Sequence, residues 1–249
     1  MPGIAAGIGT RLWTPLGAGV PLGFWWDFTD PGACIVAANA LGTVRDKSGN
    51  NRDLTQGTAG NKPTYGTRLQ NGLRVADFDG TDDYMSTSAM FTYGFGWTLF
   101  IVGKNDDGAD STAQFAVFGT DGSTAYGRFS KQTGNVYRLG CGSNLDRGTP
   151  DTNAHIHTVQ FNNTTSYLRQ DGAQVSTTGT TGTNSASVGV TVGSNSTPAL
   201  FWDGWFGEII GIPAILPVEL IRQFEHYFAA KFAIGLAQGA AGSNPLVFA

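Results

Sequence analysis

The sequence has few charged residues and very few glutamates. Asp, Glu, Lys and Arg make up 14% of its 249 residues, against roughly 25% in an average soluble domain. The only glutamates are Glu208, Glu219 and Glu225. Because glutamate, a strong helix former, is nearly absent while glycine occurs 36 times, the composition favours short strands and tight turns over helices. The net charge of −4 and the lack of any basic run predict no nucleic-acid partner.

Long apolar runs are also missing. No segment approaches the roughly 20 apolar residues of a membrane-spanning helix, so we expect no membrane span. Residues 1–22 have no basic segment before their apolar part, and Gly and Pro interrupt them, which predicts no secretory signal. The two cysteines, Cys34 and Cys141, are too few for a disulfide framework. Their pairing stays open, and two small buried thiols are the favoured interpretation.

Turn signals and β-type runs dominate the middle of the chain. Asp-Gly dipeptides, which suit hairpin turns, recur at 79–80, 107–108, 121–122, 171–172 and 203–204. Residues 97–102 (WTLFIV) are nearly all apolar and read as a strand buried on both faces. Residues 114–118, 157–161 and 166–170 are rich in aromatic and β-branched types. With no helices between these runs, the pattern predicts an antiparallel sandwich.

One helix is predicted at residues 217–234, near the end of the chain. Its apolar residues recur at helical spacing, with Pro217 in the first turn and Gly235 just past the end. The predicted organisation is an apolar N-terminal arm (1–22), a sandwich domain (23–235) that includes this closing helix, and a C-terminal tail (236–249). Because both ends are apolar and weakly charged, we expect them to dock on neighbouring subunits or on the domain itself.

Several segments, in order, resemble one fold family. Residues 78–85 (FDGTDDYM), 155–174, 201–212 with an inward-leaning Glu208, and 215–235 are similar to concanavalin A-like, laminin G-like jelly rolls of the bacterial and phage type. The resemblance covers residues 23–235. It implies an all-β, antiparallel jelly-roll β-sandwich with one C-terminal α-helix. Members of the family include lectins, glycan-binding modules, adhesion domains and polysaccharide hydrolases, so the fold does not decide the function.

The residues argue against catalysis. Hydrolases with this fold resemble one another in a Glu-x-Asp-x-x-Glu strand, but Glu208 has no acidic residue two or four positions away. We therefore predict a non-catalytic protein, with an aspartate-based hydrolase left open. His155 and His157 share a strand face and could chelate a metal. Without an obvious third ligand, they are interpreted as ordinary strand residues.

Two acidic clusters could hold a cation. The resemblance implies that calcium, if bound, sits at the rim of the sandwich on oxygen ligands. Asp79, Asp82 and Asp83 supply three carboxylates within five residues, and Asp106, Asp107 and Asp110 supply three more. Aspartate is also a common turn residue, and that interpretation is favoured. The candidate calcium ligands are Asp79, Asp82 and Asp83.

Tryptophans could form a platform for sugar rings. Trp26, Trp202 and Trp205 are the candidate carbohydrate-binding residues, because indole rings stack on sugar C–H faces. Trp25 and Trp26 must point to opposite faces of a strand, which predicts one in the core and one outward. Trp202 and Trp205 flank the predicted 203–204 turn. The alternative, that all of them serve core or assembly contacts, is the favoured interpretation.

The leading functional hypothesis is a non-catalytic bacteriophage protein on the virion surface: a capsid decoration, fibre or tail-associated subunit. Its partners would be copies of itself and other virion structural proteins, contacted through its termini, and cell-surface glycans are a further candidate ligand. The alternative hypothesis is a calcium-assisted carbohydrate-binding module for receptor recognition or adhesion.

Overall fold

The structure is a computed structural model that describes residues 13–107, 113–120, 125–195 and 199–237. These ranges contain nineteen β-strands and one α-helix, α1 (Val218–Phe232). The first strands are β1 (Phe24–Asp27), β2 (Cys34–Ala37), β3 (Ala40–Val44), β4 (Leu54–Thr55), β5 (Thr64–Gln70), β6 (Leu73–Asp79), β7 (Met85–Thr87), β8 (Phe91–Gly94), β9 (Thr98–Asn105) and β10 (Gln114–Thr120). The others are β11 (Ala125–Gln132), β12 (Val136–Gly140), β13 (Asn144–Arg147), β14 (Ala154–Gln160), β15 (Tyr167–Gln170), β16 (Ala173–Gln174), β17 (Ser185–Val188), β18 (Val190–Val192) and β19 (Asp203–Ile212).

The strands form two layers, and the ladders between them are antiparallel. In the helix-side sheet, β9 pairs with both β14 and β19; β15 and β16 extend it on one side, and β6, β5 and β1 extend it beyond β19. The far sheet runs β13-β12-β11-β10-β18-β7-β4-β3-β2. The two sheets meet where β3 pairs with β5, and β8 and β17 form a separate two-stranded antiparallel sheet. The predicted fold class, an all-β antiparallel sandwich with one C-terminal α-helix, is confirmed.

Two apolar cores hold these layers together. The inner core lies between the sheets and includes Leu99 and Ile101 of β9. The outer core lies between the helix-side sheet and α1 and includes Phe100 and Val102. Because side chains alternate along a strand, β9 supplies both cores, which explains its almost continuous apolar sequence. Phe100 stacks on Phe224 of α1 with ring centroids 4.6 Å apart.

The helix matches its prediction except at its end. Glu219 lies in the first turn and Lys231 in the last, where each charge suits the helix dipole. The left-handed residue at the C-terminus is Ala233, with φ of 51°, so the prediction that Gly235 fills this position is wrong.

The described parts of both predicted arms pack on the domain. Trp13 contacts Phe224 edge-on with ring centroids 5.0 Å apart, and Leu22 is buried in the outer core. At the other end, the Ala237 amide donates a 2.7 Å hydrogen bond to the Asp171 carbonyl. Residues 1–12 and 238–249, which make up most of both arms, lie outside the described residues.

The Asp-Gly dipeptides have different roles. Asp171 and Gly172, both with positive φ, turn the β15–β16 hairpin as predicted. The turn predicted at 203–204 is wrong, because this pair begins β19. A Cβ on Gly204 would lie 2.1 Å from the Lys104 carbonyl oxygen, so glycine is needed there for the close approach of β9. The dipeptides at 107–108 and 121–122 lie wholly or partly outside the described residues.

Two further expectations concern the cysteines and the membrane. Cys34 and Cys141 are both free, which confirms the interpretation as unpaired thiols, but only Cys141 is buried and Cys34 is half-buried. Within the described ranges, no helix has the length and hydropathy needed to cross a membrane.

Candidate functional site

The acidic loop between β6 and β7 brings three predicted ligands together. Phe78 anchors the preceding strand in the inner core, and Gly80 reverses the chain in the left-handed region with φ of 72°. Asp79 Oδ1 then accepts hydrogen bonds from the Thr81 amide (2.8 Å) and the Asp82 amide (3.2 Å). These contacts fold the loop over its own first carboxylate.

Within this loop, one carboxylate oxygen from each of Asp79, Asp82 and Asp83 lies within 4.8 Å of the other two. Asp79 is exposed, Asp82 is half-buried and Asp83 is buried. Burial raises the pKa of Asp83 to about 7, and the negative charges of Asp79 and Asp82 add to this rise. A hard divalent cation would relieve that repulsion and accept oxygen ligands of this kind. The three residues could therefore hold a cation, as the candidate calcium ligands of the sequence analysis, while the hydrogen bonds of Asp79 also fit the favoured interpretation as turn residues.

The second acidic cluster is used for ion pairs. Arg68 binds Asp106, and its Nη1 lies 2.9 Å from Asp77 Oδ1. Lys104 lies 2.8 Å from Asp106, and the buried Lys131 lies 3.0 Å from Asp107. Asp106 and Asp107 thus already have cationic partners. Asp110 lies outside the described residues.

The predicted sugar platform is wrong. Stacking on a sugar requires an exposed ring face, but Trp26, Trp202 and Trp205 have relative exposures of 0%, 2% and 3%. Trp26 stacks on Phe24 with centroids 4.1 Å apart, and the Trp202 indole N–H donates to the Lys104 carbonyl at 3.1 Å. These three tryptophans are core residues, which was the alternative interpretation.

Trp25 lies on the other face of β1, and that face is covered as well. It points away from Trp26, as strand geometry predicts, but into the outer core under α1 rather than into solvent. Its indole N–H donates a 2.6 Å hydrogen bond to Glu208 Oε1. The expectation that one of the two rings faces outward is wrong because the helix buries the outer face.

Glu208 is the centre of a buried polar group in the outer core. It leans towards the helix and not inward, and it accepts hydrogen bonds from Trp25, Tyr227 and Lys231. Lys231 also lies 2.9 Å from Asp27. Burial and the nearby Asp27 raise the pKa of Glu208 to about 7. Its contacts hold α1 on the sheet.

Of the other two glutamates, Glu225 forms a buried ion pair, whereas Glu219 lies in solvent. Glu225 is buried and accepts from Arg169 Nε (2.8 Å) and Nη2 (2.9 Å) and from the Thr158 hydroxyl (3.0 Å). Glu219 is exposed on the first turn of α1 and pairs with Arg222. The sequence pattern gave no sign of the Arg169–Glu225 pair, since its two members are 56 positions apart.

The two strand histidines do not converge on one ligand. The ring nitrogens of His155 contact Asp171 Oδ2 (2.6 Å) and Asp151 Oδ1 (2.8 Å). His157 is buried against Tyr137, and burial lowers its pKa to about 3. Both nitrogens of His155 are already occupied, so the histidines serve as strand residues.

Comparisons with known proteins match the fold only. No family model and no curated protein matches this chain. Among solved structures, the Trypanosoma rangeli sialidase in complex with the inhibitor DANA superposes with a TM-score of 0.56 at 12% identity, covering 82% of this chain and 32% of the sialidase.

The receptor-binding domain of botulinum neurotoxin type G superposes with a TM-score of 0.57 at 6% identity, covering 83% of this chain and 51% of that chain. The binding domain of botulinum neurotoxin serotype D/C gives 0.54 at 14% identity, with coverages of 83% and 52%. At such low identity the likeness shows a shared β-sandwich. The chain spans about a third of the sialidase and about half of the toxin chains.

Proposed function

We propose that the protein is a non-catalytic binding module built on a lectin-like sandwich. The observation that carries this proposal is the state of the three glutamates: Glu208 and Glu225 are buried in structural contacts, and Glu219 is exposed on the helix. Most glycosidases use two Asp or Glu carboxylates that flank one substrate bond, and the three glutamates do not form such a pair. The toxin domains of similar fold are described as binding domains, which supports the same proposal by analogy.

The test is a turnover assay on sialosides and on a panel of bacterial polysaccharides. We expect no hydrolysis. Turnover abolished by Asp83→Asn, with Glu219→Gln as a matched control, would replace this proposal with an aspartate-based hydrolase at the β6–β7 loop.

The setting that we propose for the module is the surface of a bacteriophage particle, as a capsid decoration, fibre or tail-associated subunit. The support is the apolar, weakly charged composition of both ends of the chain together with a lectin-like fold. Mass spectrometry of purified particles tests it. The chain should appear in stoichiometric amounts with the other virion proteins, and its absence from the particles would refute the proposal.

A second candidate function is calcium-assisted carbohydrate recognition at the β6–β7 loop. The favouring observation is the convergence of Asp79, Asp82 and Asp83 oxygens within 4.8 Å at the rim. A glycan array probed with calcium and with EDTA tests it. We expect binding that EDTA removes and that Asp83→Asn weakens, while Glu219→Gln, which removes one charge elsewhere, leaves it unchanged. Equal signals with and without EDTA would refute a role for calcium.

A further inference from the structure

The outer face of the far sheet concentrates arginine. Phe129 on β11 and Tyr137 on β12 point into the inner core, so their neighbours Arg128 and Arg138 point outward. The strand register places Arg128 opposite Gly140 and Arg138 opposite Asp146 of β13. We call Arg128, Arg138 and Asp146 the arginine face. It places two cations beside one carboxylate in a chain whose net charge is −4.

Asp146, the carboxylate of the arginine face, already has an ion-pair partner. Arg138 binds Asp146 with two parallel contacts, Nε to Oδ1 at 2.6 Å and Nη2 to Oδ2 at 2.7 Å. Arg147, which is opposite Tyr137 in the register, belongs to the other face of β13 and donates to the Thr177 carbonyl at 2.9 Å. Among the described residues, Arg128 forms no salt bridge with a carboxylate.

Arg128 is held in place with donor capacity left over. Its guanidinium lies across Gly140, where a Cβ would come within 3.0 Å of Nη2. It lies 5.9 Å from the centre of the Phe115 ring. Nη2 donates to Asn144 Oδ1, while the buried Nε has no hydrogen-bond partner within the described part of the chain. Burial, and next the charge of Arg138, lower the pKa of Arg128 to about 10.

A half-buried guanidinium is costly when its only nearby carboxylate is paired elsewhere, and Asp146, which attracts Arg128, is hydrogen-bonded to Arg138. An added anion would supply Arg128 with a carboxylate of its own. A carboxylate fits best, since its two coplanar oxygens match the fork of guanidinium donors.

We propose that the arginine face is a binding site for the carboxylate of an acidic glycan, centred on Arg128 and independent of metal. This inference rests on the proposed function as a binding module and names its ligand class. The site lies on the far sheet, whereas Asp79 ends a strand of the helix-side sheet, so the two candidate sites can be tested separately.

The experiment is calorimetric titration of the full chain in EDTA at low salt. The probes are an oligogalacturonide, the neutral galactose oligomer of equal length and a sulfated galactose oligomer. We expect the carboxylated oligomer to bind more tightly than the other two and to lose affinity as salt is added. Arg128→Gln should weaken binding roughly tenfold to a hundredfold. Arg45→Gln, on an exposed residue, is the matched control and should have no effect.

Two further variants guard against a folding artefact. Arg128→Lys keeps the charge but loses the fork, and should also weaken binding while the melting temperature stays near that of the wild type. Asp146→Asn releases Arg138 and should tighten binding. Weaker binding by Asp146→Asn, full affinity in a folded Arg128→Gln, or preference for the sulfated or neutral oligomer would each overturn the proposal. None of these outcomes bears on calcium-dependent binding at Asp83, which the glycan array measures.

Discussion

The Asp83→Asn substitution should stabilise the calcium-free protein and weaken its binding of calcium. In the folded chain, burial and the charges of Asp79 and Asp82 raise the pKa of Asp83 from 3.8 to about 7. The folded state therefore binds this proton more tightly than the unfolded state. It follows that the contribution of Asp83 to stability is fully present below about pH 4 and is lost as the pH rises through about 7.

The size of the effect on the free energy of unfolding follows from the shift in the pKa of Asp83. A difference of about 3 pKa units corresponds to about 4 kcal/mol in the free energy of unfolding above pH 7. Solvent screening at the rim reduces this to roughly 1–2 kcal/mol. Asparagine removes the charge and keeps an acceptor for the Asp79 amide, which lies 3.1 Å from Asp83 Oδ2. It also removes the buried anionic ligand, so calcium affinity should fall at least roughly tenfold.

The assay is urea unfolding followed by tryptophan fluorescence, in EDTA and in millimolar calcium. In EDTA, Asp83→Asn should exceed the wild type in stability at about pH 8 and match it near pH 4. In calcium, the wild type should gain stability, by about 2.7 kcal/mol at a hundredfold excess over Kd, and the variant little. Glu219→Gln should follow the wild type throughout. A variant less stable than the wild type at high pH in EDTA, or an equal calcium gain in both proteins, would refute the reasoning.

Three further outcomes are expected. Glu225→Leu should cost about 3–5 kcal/mol by leaving Arg169 buried without its partner, and the double variant with Arg169→Met should recover most of it in a chemical-denaturation cycle. Trp26→Ala should cost about 3–5 kcal/mol by opening a cavity in the inner core, with no change in glycan-array binding. Because the pKa of Glu208 is raised to about 7, its contribution to stability should be lost as pH rises through that value; Glu208→Gln should remove this dependence from the unfolding profile.

The architecture could be predicted from the sequence because its main signals are local. Residues 97–102 show a buried strand by composition alone, and the structure extends it to β9, Thr98–Asn105. The helical spacing of apolar residues after Pro217 gave α1 to within a few residues. Turn chemistry was less reliable: Asp171-Gly172 turns a hairpin, whereas Asp203-Gly204 lies in a strand because β9 passes too close for any side chain at 204.

The error about the tryptophans has a tertiary cause. Alternation along β1 correctly separates Trp25 from Trp26, but it cannot say whether the outer face of the strand is wet. That depends on α1, which begins almost two hundred residues later and covers Trp25 together with Glu208. Because α1 also buries Glu208, this residue binds the helix through Tyr227 and Lys231. The family resemblance had suggested that it leans inward.

The two candidate sites differ in how far apart their residues lie in the sequence and in the sign of their charge. Asp79, Asp82 and Asp83 lie within five positions of one another, so the sequence alone groups them as candidate calcium ligands. The arginine face is assembled by the register of β11, β12 and β13, which brings together residues up to eighteen positions apart and leaves Arg128 beside a glycine. One site is anionic and should need a cation, and the other is cationic and should need an anion. EDTA should therefore affect only the first, and binding of an acidic glycan in EDTA should depend only on the second.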